Sequence, residues 1–172
     1  PQLLAQLERV FTEFGAPVLV EEFIEGREFH VGILGNDPAV MLPPVEYDFS
    51  KLPPDQPTVI SYAAKWDPLA EVFHQVDAHC PAEISQRLTK RIEEVAIRAY
   101  RVSGCRDYAR LDLRVSADNH VYVLEVNPNP DLTEGVSFMH SAEVAGHSFS
   151  QTLRQIVEMA HGRTVPPPGL RG

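Results

Sequence analysis

The sequence predicts an α+β fold, a mainly antiparallel sheet with helices packed on one face. Three observations carry that expectation. Branched and aromatic residues between Val18 and Tyr47 gather into short runs separated by glycine-containing turns. A long stretch after Pro81 has its apolar residues at helical spacing. LDLRVSADNHVYVLEVNPNPD, Leu111 to Asp131, alternates polar and apolar residues on either side of Asp118-Asn119, which is the pattern of a hairpin.

The elements follow in chain order. Gln2 to Phe14 reads as an amphipathic helix with Leu3, Leu4, Leu7, Val10, Phe11 and Phe14 on one side, stopped by Gly15 and Pro17. Because Pro1 is not a methionine and a helix starts at once, the chain reads as a fragment that begins in mid-domain. VLVEEFI (Val18 to Ile24), REFHVGIL (Arg27 to Leu34) and AVMLPPVEY (Ala39 to Tyr47) read as strands, and Pro43 and Pro44 confine the third to an edge. Asp48 to Pro57 is a loop by composition, and TVISYAAKW (Thr58 to Trp66) a short strand. A connection rich in proline and histidine leads to Pro81, which suits the first turn of a long helix. Its stripe is Ile84, Leu88, Ile92, Val95, Ala96, Ala99 and Val102, and Gly104 ends it. Arg87, Lys90, Arg91, Glu93, Glu94 and Arg98 form its solvated side. After the hairpin, Ser137 to Ala145 is a short helix ended by Gly146, and Ser148-x-x-Gln151 is a capping box for a last helix through about His161. Residues 1–162 therefore read as one domain, and RTVPPPGLRG, 163–172, as a disordered tail.

Composition narrows the function. The chain of 172 residues is 44% hydrophobic, enough to bury a core. It has no apolar run of about 18 residues and no basic-then-apolar leader, which excludes a membrane partner and makes the cytoplasm the expected location. A formal charge of −9 argues against nucleic acid as a partner. An acidic chain still binds a compact polyanion if metal ions and a few placed cations assist. Cys80 and Cys105 stand apart, make no CxxC, and with His74 and His79 match no zinc spacing.

The hairpin raises a sharper question. A two-residue turn at Asp118-Asn119 pairs Asp112 with Glu125 and Arg110 with Asn127. Those four polar residues then share one face, with Leu111, Leu113, Leu124 and Val126 on the other. Opposed carboxylates with Cβ atoms roughly 5 Å apart repel by about 3 kcal/mol at an effective dielectric of about 20. Two readings offset this. The face is exposed, water screens the repulsion, and Arg110 or Arg114 supplies a weak surface pair. Or a hard divalent cation sits between two carboxylates and the amide oxygen of Asn127, the ligand chemistry of Mg²⁺ shared with phosphates.

GCRDYARLDLRV, VYVLEVNPNPDL and VLVEEFIEGREFHVGIL together resemble the C-terminal part of the ATP-grasp fold, and within it the D-alanine:D-alanine ligases and their relatives. The likeness runs from about Val18 to the last helix. It implies ATP and Mg²⁺ as cofactors, two ions with Mn²⁺ as a substitute, held by Asp112, Glu125 and Asn127, with Glu125 bridging. It implies Arg110 as the residue that stabilises the acyl phosphate and tetrahedral intermediate. It places Glu21, Phe23 and Ile24 around the adenine, Glu28 on the ribose hydroxyls, and Lys65 on a mobile loop over the phosphates. The implied chemistry is ligation of a carboxylate to an amine, with amino-acid-like small molecules as substrates and no protein nucleophile.

Two features mark the limits of the likeness. The family also uses an N-terminal lobe with a glycine-rich phosphate loop and two lysines, so that lobe is the expected partner and this chain alone is expected to have little ligase activity. Asn127-Pro128-Asn129-Pro130-Asp131 replaces the family's small-residue turn, and Val136 stands where a substrate-carboxylate serine aligns. Asp131 then either favours a cationic or otherwise different acceptor or caps the next turn. The alternative to an enzyme is a non-catalytic ATP-grasp-like module that binds nucleotide within a larger protein.

Overall fold

The computed structural model describes residues 2–60 and 75–164. In chain order they form α1 (Gln2–Phe14), β1 (Arg27–Leu34), β2 (Val40–Met41), β3 (Val45–Asp48), β4 (Asp77–His79), α2 (Gln86–Val102), β5 (Tyr108–Val115), β6 (Val121–Asn127), α3 (Ser137–Val144) and α4 (Phe149–Thr164). The strands make one antiparallel sheet in the order β4-β3-β1-β5-β6, with β2 also paired to β1.

β1 is central because its sequence can be covered on both sides. Phe29, Val31 and Ile33 point to one face and meet Ala109, Leu111, Leu113 and Val115 of β5 in a core capped by Leu88, Ile92, Ala96 and Tyr100 of α2. The four helix residues recur every fourth position, as an α-helical stripe must. Each fully buried aliphatic side chain here contributes about 1.5–3 kcal/mol. The opposite face of β1 carries Glu28, His30, Gly32 and Leu34. At its far end Leu34 packs with Leu42, Phe138, Met139 and Ala142 in a second cluster, to which Phe149 and Leu153 of α4 add. Gly32 permits this, because a Cβ there would lie 2.9 Å from Leu42 Cδ1 and 3.1 Å from Phe138 Cδ2. Polar residues occupy the rest of that face.

Several expectations are corrected. Val18–Ile24 forms no strand. Leu19 is 80% exposed, and no described strand runs beside the segment to pair its backbone. Ala39–Tyr47 is two strands, because Leu42 to Pro44 turn out of the ladder where prolines cannot donate. Thr58–Ile60 lie outside any strand, and Ser61–Trp66 lie outside the described residues. β4 falls within the expected connection, because three residues are too few to show alternation. The long helix starts at Gln86 rather than near Pro81, because Ser85 caps it by accepting from the Leu88 amide at 3.2 Å. Val102, placed in its stripe, is 81% exposed. The capping box is present, with Ser148 N donating to Gln151 Oε1 at 2.8 Å and Gln151 N to Ser148 Oγ at 3.3 Å. α4 runs on to Thr164, so the first residues assigned to the tail are helical, and 165–172 lie outside the described residues. α1 forms as expected but buries none of its residues.

Candidate functional site

The β5–β6 hairpin builds the site, by a route the sequence conceals. The turn has three residues, Ala117-Asp118-Asn119, not two: Ser116 N donates to His120 O at 3.0 Å, Asn119 N to Ser116 O at 2.8 Å, and Asn119 takes a φ of 62°. That is the three-residue hairpin loop that ends on a left-handed residue. It pairs Val115 with Val121, Arg114 with Tyr122 and Leu113 with Val123, one step away from the expected register. An irregularity after Leu113 then leaves Leu124 unpaired and restores the expected partners, Asp112 with Glu125, Leu111 with Val126 and Arg110 with Asn127. Two departures cancel at the functional residues. Leu124, expected in the core, is the extra residue and is 50% exposed.

Asp112 is 5% exposed and is held from two sides. Arg110 donates from Nε to Oδ1 at 2.6 Å and from Nη2 to Oδ2 at 2.9 Å, a two-pronged pair. His30, its register partner on β1, brings Nε2 to 3.3 Å from Oδ2. Burial alone would push the Asp112 carboxyl up, but the hydrogen bonds and charges of His30 and Arg110 outweigh it and hold the group below the usual carboxylate range. For Arg110 burial acts to lower the pKa, and the Asp112 contact more than reverses that. Glu125 is exposed, and the Asn127 side-chain oxygen accepts from Asn129 N at 3.0 Å.

A second polar group lies one register step along. Arg114 is 2% exposed, not the surface partner considered from the sequence. It donates to Glu28 Oε2 at 2.9 Å and to the carbonyls of Ile24 (2.8 Å), Gly26 (3.1 Å) and Thr58 (2.5 Å), with its guanidinium 5.0 Å from the Phe23 ring centre. Glu28 is 4% exposed; burial raises its carboxyl pKa, and Arg114 only partly opposes this. Gly26 lets the chain enter β1 here, with φ 149° and no room for a Cβ, which would stand 2.1 Å from the Val115 carbonyl oxygen.

Of the expected site residues, Arg110, Asp112, Glu125 and Asn127 are brought together by the β5–β6 register. Glu28 lies on the same sheet face across β1, and Phe23 and Ile24 touch the site through Arg114. Glu21 is exposed on the same linker, and Lys65 lies outside the described residues. Asp131 Oδ1 accepts from Thr133 N at 2.8 Å, the turn-capping role. Val136 precedes α3, and the neighbouring hydroxyl of Ser137 reaches His30 Nδ1 at 3.2 Å. The sequence points to neither His30 nor Tyr47, and offers Arg114 only as a surface partner. Arg114 shares the even-numbered face with Arg110 and Asp112, and that alternation was the available signal.

The donor set fits a hard cation. Among the described residues, no group of three or more His, Cys, Asp and Glu is placed to hold a metal. Two carboxylates and an amide oxygen are an incomplete shell, which suits Mg²⁺ completed by phosphate oxygens and water. Asp112 has carboxylate lone pairs beyond those engaged by Arg110 and His30.

Known proteins share this architecture. The chain is 35% identical over 162 residues to the uncharacterized protein y4sG of Sinorhizobium fredii, covering 94% of the chain and 46% of that protein. It is 34% identical over 150 residues to the D-alanine–D-alanine ligase of Desulforudis audaxviator, covering 87% of the chain and 45% of that enzyme. Among solved structures, the D-alanine–D-alanine ligase from Bacillus anthracis complexed with ATP superposes with a TM-score of 0.72 at 26% identity, over 94% of the chain and 47% of that protein. VanG D-Ala:D-Ser ligase from Enterococcus faecalis gives a TM-score of 0.70 at 26% identity, over 92% and 43%. The chain thus spans about half the length of these relatives, and its sheet is the C-terminal subdomain of the ATP-grasp fold. A family model described as D-ala D-ala ligase C-terminus matches residues 2–158, and the chain belongs to that family.

Proposed function

We propose that the chain is the ATP- and Mg²⁺-binding part of a ligase that joins a carboxylate to an amine through an acyl phosphate. The observation that carries this reading is the register that sets Asp112 against Glu125 and Arg110 against Asn127 on the face of β5 and β6 turned away from the α2 core. Asp112, Glu125 and Asn127 hold two Mg²⁺ ions in this reading, and the ions when bound neutralise the triphosphate and the charge on the transferred phosphoryl group.

The chain's own residues then divide the work. Arg110 presents the remaining N–H groups of its planar, permanently charged guanidinium to the oxyanion that develops during acyl transfer. Its two-pronged hold on Asp112 keeps the guanidinium at the metal site before substrate arrives. Glu28 accepts from the ribose hydroxyls, and Arg114 fixes both Glu28 and the linker that carries Phe23 and Ile24. Glu21, Phe23 and Ile24 bound the adenine, and Lys65 closes over the phosphates. No side chain needs to act as a nucleophile. The bond from Thr133 N to Asp131 supports the turn-capping reading of that acid, and the substrates in this reading are amino-acid-like. An N-terminal lobe completes the site, and the assembled enzyme works in the cytoplasm; among the described residues no helix is long and apolar enough to cross a membrane.

Calorimetry of ATP binding with and without Mg²⁺ tests this. Glu125→Gln is expected to weaken the Mg²⁺-dependent affinity by about tenfold or more, and an unchanged affinity would contradict the reading.

A further inference from the structure

His30 has no part in the contacts proposed above, yet it is 4% exposed and lies in the middle of them. The sheet register sets it directly opposite Asp112, with Nε2 3.3 Å from Oδ2. Its other ring nitrogen, Nδ1, is 2.9 Å from the Tyr47 hydroxyl and 3.2 Å from Ser137 Oγ. The Tyr47 ring also packs edge-on against it, with ring centres 4.6 Å apart. Thus three elements, β3, α3 and β5, converge on one imidazole. On β1 the next residue of that face is Gly32, opposite Arg110, so nothing from β1 competes for the Arg110 fork.

We propose that His30 is a positioning residue for the metal site, its Nε2–H holding the Asp112 carboxylate in one orientation while the Tyr47 and Ser137 hydroxyls fix the ring through Nδ1. This rests on the metal role of Asp112 given above. Nε2–H faces the carboxylate, and Nδ1 meets the Tyr47 and Ser137 hydroxyls, each of which is able to donate or accept. The ring is thereby fixed in one rotation. A carboxylate gripped by Arg110 on one side and His30 on the other keeps its remaining lone pairs preorganised for a cation. Without His30 the carboxylate follows Arg110 alone. Outer partners of this kind typically alter metal affinity by about 10–100-fold.

The test uses Mn²⁺ binding to the chain, followed by the paramagnetic resonance of the free ion, together with the ring ¹⁵N signals of His30. Wild type is expected to display an Nε2-protonated ring. His30→Ala is expected to weaken Mn²⁺ binding about tenfold or more, and His30→Gln, whose amide donates from a similar reach, to recover most of it at matched thermal stability. Tyr47→Phe, which leaves His30 in place, is expected to weaken binding less than His30→Ala does. Equal binding by wild type and His30→Ala, with a loss in Glu125→Gln, would overturn this inference alone. A His30→Gln as weak as His30→Ala would overturn it too, since the hydrogen bond would then not be the cause. If Glu125→Gln also leaves Mn²⁺ binding unchanged, the metal reading falls and the inference with it.

Discussion

Asp112 faces Glu125 across the β5–β6 ladder one step beyond the point where Leu124 drops out of the pairing. The hairpin loop and this bulge are therefore linked, since the three-residue loop shifts the register one way and the extra residue shifts it back. Asn119 anchors the loop at a φ of 62°. A β-branched residue resists that conformation by roughly 1–2 kcal/mol, whereas glycine accepts it freely. Asn119→Val should lower unfolding stability in urea by that amount, and Asn119→Gly should leave it unchanged or slightly raised.

Arg114 is buried and donates to four residues, Ile24, Gly26, Glu28 and Thr58. Removing it leaves Glu28 buried without its cation and the carbonyls of Ile24, Gly26 and Thr58 without their donor. Arg114→Ala is expected to cost about 3–5 kcal/mol, measured by denaturant unfolding. The double change Arg114→Met with Glu28→Met should cost less than Arg114→Ala alone, because no uncompensated charge remains.

Alkaline pH should loosen the α2 core in a definite direction. Burial, reinforced by Asp107, pushes the Tyr100 hydroxyl up to about 12 from its ordinary 10.0, and that hydroxyl donates to Gly35 O at 3.0 Å. The unfolded chain loses this proton first, so stability is intact below pH 10.0 and falls as pH rises toward about 12. Unfolding followed across that window should show the decline, and Tyr100→Phe should reduce it. Ultraviolet titration of the folded chain should find Tyr47 late as well, since burial pushes it up to about 12.

Arg110 offers a test of chemistry rather than of stability. In a protein that joins this chain to an N-terminal lobe, Arg110→Lys keeps the charge but loses the fork. Turnover is expected to fall by about 10²–10³-fold with a smaller change in ATP affinity.

Much of this was legible in the residues, and the exceptions have physical causes. Branched and aromatic composition gave β1, which is buried on both faces, alternation about a turn gave β5 and β6, and helical spacing gave α2, which buries one regular stripe. Val18–Ile24 has strand-like composition but no described neighbour to pair with, and composition cannot report a missing partner. β4 is too short to carry a period. The pairing of Asp112 with Glu125 was expected from a two-residue turn, yet it arises from a three-residue turn and a bulge; neither leaves a mark in an alternating sequence. By local pattern His30 is an ordinary strand residue and Arg114 a surface one, since their significance lies in which strands are neighbours. The pairing β1 to β5 supplies that, and no local pattern encodes it.

Line broadening by Mn²⁺ tests the central claim most directly. Mn²⁺ is added with ATP to the ¹⁵N-labelled chain, and its effect is mapped residue by residue. Amide signals of Asp112, Glu125 and Asn127 are expected to broaden first, and Glu125→Gln to abolish the effect at the same ion concentration. Sharp signals at these three residues while another region broadens, or an identical pattern in Glu125→Gln, would contradict the assignment of the metal to the β5–β6 face.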